Sequence, residues 1–196
     1  MDIILSTRNV SKAEQIRAIF AGSPVSILSL DEAGIEGKAE ETGTTLEENG
    51  LQKAHFAWER SHKWSMSDDS GLFIEALGGE PGVQAATWAG KVSTEEIMNY
   101  TLQKLEGIED RRAMFKAVAT LISPDGAVQT FMGEVPGKLL VSPRVPPSPD
   151  MPYSSIFVPD GYSKSWTEMT TDEVNAISHR GQAFRKMREY LKSVIW

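Results

Sequence analysis

Residues 3–20, IILSTRNVSKAEQIRAIF, join a short apolar run to a pattern with helical spacing. The first three of these residues predict a buried strand, and the polar turn after them carries Asn9, a residue type that caps helices. From Val10 the apolar residues recur three or four positions apart, which predicts a helix that ends near Gly22. The chain is therefore expected to open with a strand, a turn and a helix.

The rest of the chain extends this alternation. Residues 25–30 predict a second strand and residues 45–63 a second helix, with Thr45 as its cap and Glu48 three residues later. The opening order of strand, helix, strand and helix predicts an α/β fold, and without repeats or a long linker residues 1–196 form one two-lobed domain. In the middle of the chain we predict a strand running into a loop over 64–69, a strand over 72–77, a turn over 78–82 and a helix over 93–105. A hairpin of strands 114–122 and 128–135 around residues 123–126 comes next, and then a strand over 137–141. We predict a stiff proline-rich loop over 143–152 and a last helix over 171–192.

Composition limits the class of protein. The chain has 196 residues, 40% of them apolar, and a net charge of −7. A negative surface repels polyanions, so we expect no nucleic acid polymer as partner. The absence of cysteine excludes thiolate nucleophiles and Cys-ligated zinc. Residues 1–6 lack a basic n-region and turn polar at Ser6, so we do not expect them to be a signal peptide, and no apolar run reaches the roughly 20 residues that cross a membrane. We therefore expect a cytoplasmic protein without a membrane partner.

The turn at residues 6–12 is a candidate phosphate site. It links the first strand to the N-terminus of the first helix, where unpaired N–H groups and the helix dipole favour anions. Lys12 lies in the first helical turn, where a cation is unfavourable unless an anion binds nearby. The alternative is an ordinary surface lysine on a capped helix.

An acidic pair follows the apolar residues that begin at Trp64. Asp68 and Asp69 stand at the predicted end of a strand, where adjacent carboxylates can hold Mg²⁺, which prefers oxygen ligands. One of the two can also act as a general base toward a water molecule that attacks phosphorus. The alternative is a turn with two solvated acids.

Two further segments carry candidate residues. Glu41 lies in a glycine-containing loop before the second helix and is free to reach a metal, whereas Glu47 and Glu48 complement the helix dipole. His179 lies in a Ser-His-Arg segment near the start of the last predicted helix, and a lone histidine does not by itself indicate catalysis.

In their order and spacing, these segments resemble the inosine triphosphate pyrophosphatase family, whose members hydrolyse deaminated purine nucleotides such as ITP, dITP and XTP. The match spans nearly the whole chain, and the stretch over 68–83 and the Ser-His-Arg segment are highly specific. The matching segments are residues 6–9 with Lys12, residues 41–49 with Lys53, and residues 67–72, 76–83, 88–90 and 175–183.

This resemblance implies a long twisted mixed sheet flanked by helices, two lobes with a central substrate cleft, and a homodimer. It implies Asp69 as the general base, with Glu41, Asp68 and Asp69 holding Mg²⁺, for which Mn²⁺ is an alternative. The triphosphate-binding residues that it implies are Thr7, Arg8, Asn9, Lys12, Lys53 and Ser70. The residues that it implies at the base are Tyr153, Ser154, Phe157, Ser178, His179 and Arg180.

The chain departs from the family pattern mainly at the base end. Ser154 and Ser155 stand where the family has Asp and Pro, Val174 where it has Lys, and Thr87 where it often has a basic residue. A pocket that loses charged hydrogen-bonding groups can change its selectivity by orders of magnitude. We therefore predict pyrophosphohydrolase chemistry with an altered or relaxed base preference.

Two alternatives stay open at this point. The altered pocket would also suit a pyrophosphatase for pyrimidine or modified nucleotides, as in the related Maf proteins. A nucleotide-binding sensor without hydrolysis is the other alternative, although a pure binder has no need of a general base.

Overall fold

The computed structural model describes residues 1–90, 92–148 and 151–195. Strands and helices alternate through the first half of the chain, and short 3-10 helices cover Glu75–Leu77 and Trp166–Glu168. The strands are β1 (Asp2–Leu5), β2 (Ser26–Ser29), β3 (Ser65–Ile74), β4 (Pro81–Gly82), β5 (Arg112–Ile122), β6 (Val128–Leu139) and β7 (Phe157–Pro159). The helices are α1 (Val10–Ile19), α2 (Leu46–Ser61), α3 (Thr94–Lys104), α4 (Thr171–Ile177) and α5 (His179–Ile195).

The strands form one mixed seven-stranded sheet in the order β2-β1-β3-β5-β6-β7, with β4 paired to β3. β1 runs parallel to β2 and to β3, and Leu5 lies opposite Met66 of β3. β3 and β4 are antiparallel, as are β6 and β7. A mixed sheet with flanking helices is the architecture that the family resemblance implies.

The chain divides into two compact units, each with its own core. The first unit comprises residues 1–69, 117–133 and 179–196, and its main core packs β1 and β3 against α1 and α5 through Leu5, Ile16, Met66 and Phe184. The second unit comprises residues 70–116 and 134–178. Its core gathers Leu72, Phe115, Phe157 and Trp166, among others.

Local capping signals are confirmed at both predicted helix starts. The side chain of Asn9 accepts a hydrogen bond from the backbone N–H of Lys12, as an N-cap should. Thr45 and Glu48 form a reciprocal capping box at the start of α2. These signals fix both helix starts because they act within four residues of the chain.

Two predicted strand breaks are wrong. β3 continues from Ser65 to Ile74 through Asp68 and Asp69, so the acidic pair lies inside a strand and not at its end. The pairing partner changes along the strand, from β1 at Met66 to β4 at Leu72, and this long-range pairing leaves no local signal.

The second wrong strand break is in β6. This strand runs through Pro136 to Leu139, where the sequence predicted two separate strands. Side chains alternate between buried and exposed from Val135 to Leu139, and the carbonyl of Pro136 accepts a hydrogen bond from the N–H of Asp160 at 3.0 Å. The proline therefore removes one donor without ending the strand.

The last predicted helix is two helices. Ser178 adopts an extended conformation, with φ −62° and ψ 152°, between α4 and α5. α5 therefore begins anew at His179, which gives the Ser-His-Arg segment its own helix N-terminus.

In the proline-rich loop, Pro149 and Asp150 lie outside the described residues, and an isolated bridge joins Ser148 to Met151.

Candidate active site

An acidic pair lies beside the end of β1 in the first unit. The N–H of Ser6, directly after β1, donates to the carbonyl of Met66 in β3 at 2.8 Å. Asp68 and Asp69 follow two and three residues later, and both are buried. The parallel pairing of β1 and β3 thus brings the turn that precedes α1 to the acidic pair.

Asp68 is held by two cations from distant parts of the chain. Its Oδ2 lies 3.2 Å from Nζ of Lys12 and 3.2 Å from a guanidinium nitrogen of Arg180. Burial alone would raise the pKa of Asp68, but the charges of Arg180 and Lys12 outweigh it and hold the pKa below its ordinary value. Asp68 is therefore ionised at neutral pH.

Asp69 has a different environment. Nζ of Lys53 donates to its Oδ1 and also to Oε2 of Glu41, the latter at 3.1 Å. Burial raises the pKa of Asp69, opposed by Lys53 and assisted by the negative charges of Asp68 and Glu41. A carboxylate whose pKa is raised is a better proton acceptor, which suits a general base.

Each aspartate has one carboxylate oxygen that the described residues leave without a hydrogen-bond partner. Oδ1 of Asp68 and Oδ2 of Asp69 are buried and lack a hydrogen-bond partner among the residues that the structure describes. Mg²⁺ is commonly held by one or two carboxylates together with water and substrate phosphates. The two orphaned oxygens fit such an ion. Over the same residues, no three Asp, Glu, His or Cys side chains form a metal site on their own, and Glu41 meets Asp69 through Lys53.

The turn before α1 presents polar groups at the helix N-terminus. Oγ1 of Thr7 accepts from the N–H of Asn9 at 3.1 Å, so these two residues shape the turn. Arg8 points elsewhere: it forms an ion pair with Asp31 and donates to the carbonyl of Gly37 at 2.7 Å. Of the residues expected at the triphosphate, Lys12 and Lys53 therefore lie at the acidic pair, whereas Arg8 anchors a loop.

His179 and Arg180 form the first turn of α5 and are buried. Burial, reinforced by the charge of Arg180, lowers the pKa of His179 to about 3, so the imidazole is neutral under physiological conditions. Arg180 also donates to Oε1 of Gln15 at 2.9 Å. Its guanidinium thus joins α1 to the acidic pair.

The other residues expected at the base belong to the second unit. Tyr153 is buried, and its hydroxyl donates to the carbonyl of Ala85 at 2.7 Å. Phe157 is fully buried in the second core. Ser178 is also buried and separates α4 from α5. Ser70, which is expected at the triphosphate, is half-buried in β3.

Ser154 uses its hydroxyl inside the second unit. Its Oγ donates to the carbonyl of Met151 and accepts from Oγ1 of Thr167, both at 2.8 Å. The residue is 3% exposed. The hydroxyl at this position is therefore satisfied by the protein itself.

Two residues of this site received no role from the sequence, although Asn49 lies in the matching segment 41–49. Gln15 lies three residues after Lys12 on the same face of α1, and that spacing was the available signal. Asn49 in α2 is buried and accepts from the N–H of Gly43 at 2.8 Å, which shapes the loop that carries Glu41.

The fold and this site define an α/β protein with a cation-lined carboxylate pair that fits a divalent metal. A family model described as the Ham1 family matches residues 3–190, and the chain belongs to this family. The membership confirms the resemblance found in the sequence.

Relatives with a stated activity cover almost the whole chain. A dITP/XTP pyrophosphatase of Thermoanaerobacter pseudethanolicus is 40% identical over 97% of this chain and 96% of its own length. One of Deinococcus deserti is 39% identical over 95% of this chain and 87% of its own.

Solved structures confirm the predicted fold class. The Ham1 protein of Staphylococcus aureus matches with a TM-score of 0.87 at 30% identity, over 98% of this chain and 99% of that one. A HAM1 protein from Coxiella burnetii matches with a TM-score of 0.89 at 30% identity, over 99% of this chain and 100% of that one. In the described part of this chain, no helix is both long and apolar enough to span a bilayer.

Proposed function

We propose that this protein is a Mg²⁺-dependent nucleoside triphosphate pyrophosphatase that acts on deaminated purine nucleotides such as ITP, dITP and XTP. The observation that carries the proposal is the buried pair Asp68 and Asp69. Each contacts a lysine, and each has one carboxylate oxygen without a hydrogen-bond partner in the described part of the chain. The full-length similarity to dITP/XTP pyrophosphatases supports the choice of substrate.

Asp69 is the general base in this proposal. Its carboxylate accepts a proton from a water molecule as the water oxygen bonds to the α-phosphorus. The bond between the α-phosphorus and the bridging oxygen breaks, and pyrophosphate leaves with the electron pair. The products are a nucleoside monophosphate and pyrophosphate.

Lys12, Lys53 and the N-terminus of α1 hold the triphosphate, with Thr7, Arg8, Asn9 and Ser70 as the further residues of that role. The support is that both lysines already contact the acidic pair and that a helix N-terminus favours phosphate. Asp68, Asp69 and Glu41 would hold Mg²⁺, or Mn²⁺ in its place, and the bound metal would neutralise phosphate charge.

The base is assigned to Tyr153, Ser154, Phe157, Ser178, His179 and Arg180. A neutral His179 can both donate and accept a hydrogen bond, as recognition of an oxopurine requires. Ser154 replaces the family's Asp and already has partners at Met151 and Thr167, which supports a relaxed base preference. Equal kcat/KM for ITP and for a broad nucleotide panel would support this relaxation, and a sharp preference for ITP would contradict it.

The decisive experiment measures pyrophosphate release from a panel of nucleoside triphosphates with Mg²⁺. Wild type should release pyrophosphate and monophosphate, and Asp69→Asn should lose at least about 100-fold in kcat while it still binds nucleotide. Release of orthophosphate, or full activity in Asp69→Asn, would refute the mechanism. Nucleotide binding without any cleavage would instead indicate a sensor.

We also propose a homodimer that acts in the cytoplasm. The family resemblance supports the dimer, and the lack of cysteine is compatible with a reducing compartment. Light scattering coupled to size exclusion tests the dimer, and a fluorescent fusion tests the compartment.

A further inference from the structure

Lys53 joins two carboxylates that come from different parts of the first unit. Its Nζ lies 3.1 Å from Oε2 of Glu41, and it forms a second ion pair with Oδ1 of Asp69. The lysine side chain is 12% exposed and that of Asp69 is 9% exposed. The ammonium group thus takes the position of a cation shared by both carboxylates.

The charged side chains of this site balance one another. The three carboxylates of Glu41, Asp68 and Asp69 contact three cationic side chains, those of Lys12, Lys53 and Arg180. A divalent ion that entered this arrangement would add uncompensated positive charge close to Lys53. Repulsion between charges at such distances is strong where water is largely excluded.

The two aspartates differ in how much they depend on a single lysine. Asp68 contacts both Lys12 and Arg180, so it keeps one cation if Lys12 is lost. Over the residues that the structure describes, the ion pairs of Asp69 and Glu41 are both with Lys53. Removal of the Lys53 charge would therefore leave Asp69 and Glu41 as an unneutralised pair.

We propose that Lys53 is a resident counter-ion that keeps divalent metal out of the nucleotide-free site. When a triphosphate arrives, its negative charge draws the Lys53 ammonium away, and Glu41 and Asp69 become available to the metal. Metal and nucleotide thus bind together, and the free enzyme does not accumulate metal. The inference rests on the proposed function for the identity of the site.

The test measures Mn²⁺ binding to the full chain without nucleotide, by calorimetry and by the electron paramagnetic resonance signal of free Mn²⁺. Lys53→Met should bind Mn²⁺ at least about ten-fold more tightly than wild type. Lys12→Met is the matched control, because it removes the same charge from a carboxylate that keeps Arg180, and it should gain less than about three-fold. In Lys53→Met/Glu41→Gln most of the gain should disappear.

Mn²⁺ affinity unchanged by Lys53→Met would overturn the proposal, as would equal gains in both lysine variants. If Lys53→Met does not fold, Lys53→Gln removes the charge and keeps a donor for both carboxylates. Because the measurement needs no turnover, its outcome is separate from that of the pyrophosphate assay. A chain that cleaves no triphosphate but shows the Lys53 effect would refute the proposed function alone.

Discussion

Arg180 contacts Asp68 across 112 positions of sequence, with a guanidinium nitrogen 3.2 Å from Oδ2. Both side chains are buried. The contact joins the first turn of α5 to the middle of β3. A buried carboxylate in such a pair contributes to folding as well as to function, because a lost partner leaves a charge in a poorly solvated place.

We expect Arg180→Met to lower the free energy of unfolding by about 2 kcal/mol, since Lys12 still compensates part of the Asp68 charge. Urea denaturation measures this change. Arg112→Met is the control, because Arg112 pairs with Asp110 at the exposed surface, and it should leave the free energy of unfolding nearly unchanged. Equal costs for the two variants would show that the buried pair adds nothing to stability.

Local signals in the sequence predicted the structure correctly. The Asn9 cap, the Thr45–Glu48 capping box and the hairpin around residues 123–126 each depend on a few neighbouring residues, and all are present. The continuity of β3 and β6 was not predicted, because both strands are stabilised by partner strands that no local pattern reveals.

In the candidate site, too, local features were predicted and long-range contacts were not. The residue types at Asp68, Asp69 and Lys12 predicted an acidic pair near a helix N-terminus, and the structure brings them together. The side-chain direction of Arg8 could not be predicted, because its carbonyl partners at residues 35 and 37 depend on how the following loop folds. Gln15 was missed because its role depends on an arginine at the other end of the chain.

Acid should destabilise the protein through its capping boxes. Hydrogen bonds from residues at or next to each cap lower the pKa of Glu48, Glu96, Glu168 and Glu173 below the ordinary value of 4.5. The unfolded chain therefore binds more protons, so this stability is present above pH 4.5 and is lost as pH falls through the folded-state values. Thermal melts between about pH 6 and pH 3 should show the loss.

A variant with glutamine at all four positions tests whether the capping glutamates cause this acid dependence, because glutamine can still cap a helix but does not titrate. Its melting temperature should fall less with acid than that of wild type. The control substitutes glutamine for four exposed glutamates outside the caps: Glu14, Glu40, Glu106 and Glu109. If the control flattens the acid dependence as much as the capping variant, the capping boxes are not its source.

Arg8 should act as an anchor for the loop at residues 31–37. It donates to the carbonyls of Ile35 at 2.8 Å and Gly37 at 2.7 Å and pairs with Asp31. Arg8→Met should lower the free energy of unfolding by about 1 kcal/mol and speed amide exchange in this loop about ten-fold. Arg60→Met is the control, since Arg60 bonds to Phe56 within its own helix. A higher KM for nucleotide with unchanged exchange would instead support the phosphate-binding role.

Gly133 should tolerate no side chain, because β6 passes against the first turn of α5 at this point. A Cβ there would overlap the carbonyl oxygen of His179 and lie 2.9 Å from the backbone nitrogen of Ala183. Backbone atoms cannot rotate away, so Gly133→Ala should lower the free energy of unfolding by about 3 kcal/mol. It should also lower kcat/KM, because the displaced turn carries Arg180.

Gly34→Ala is the matched control for Gly133→Ala. Gly34 has φ +67°, and a Cβ built there has no atom within 4 Å, so alanine meets only backbone strain. That strain costs about 1 kcal/mol, and a Cβ there meets no atom of α5, so the change should not displace the turn that carries Arg180. Urea denaturation and steady-state kinetics on both variants measure the difference. If Gly133→Ala proves no less stable than Gly34→Ala, the close approach of β6 to α5 is not a constraint on the active site.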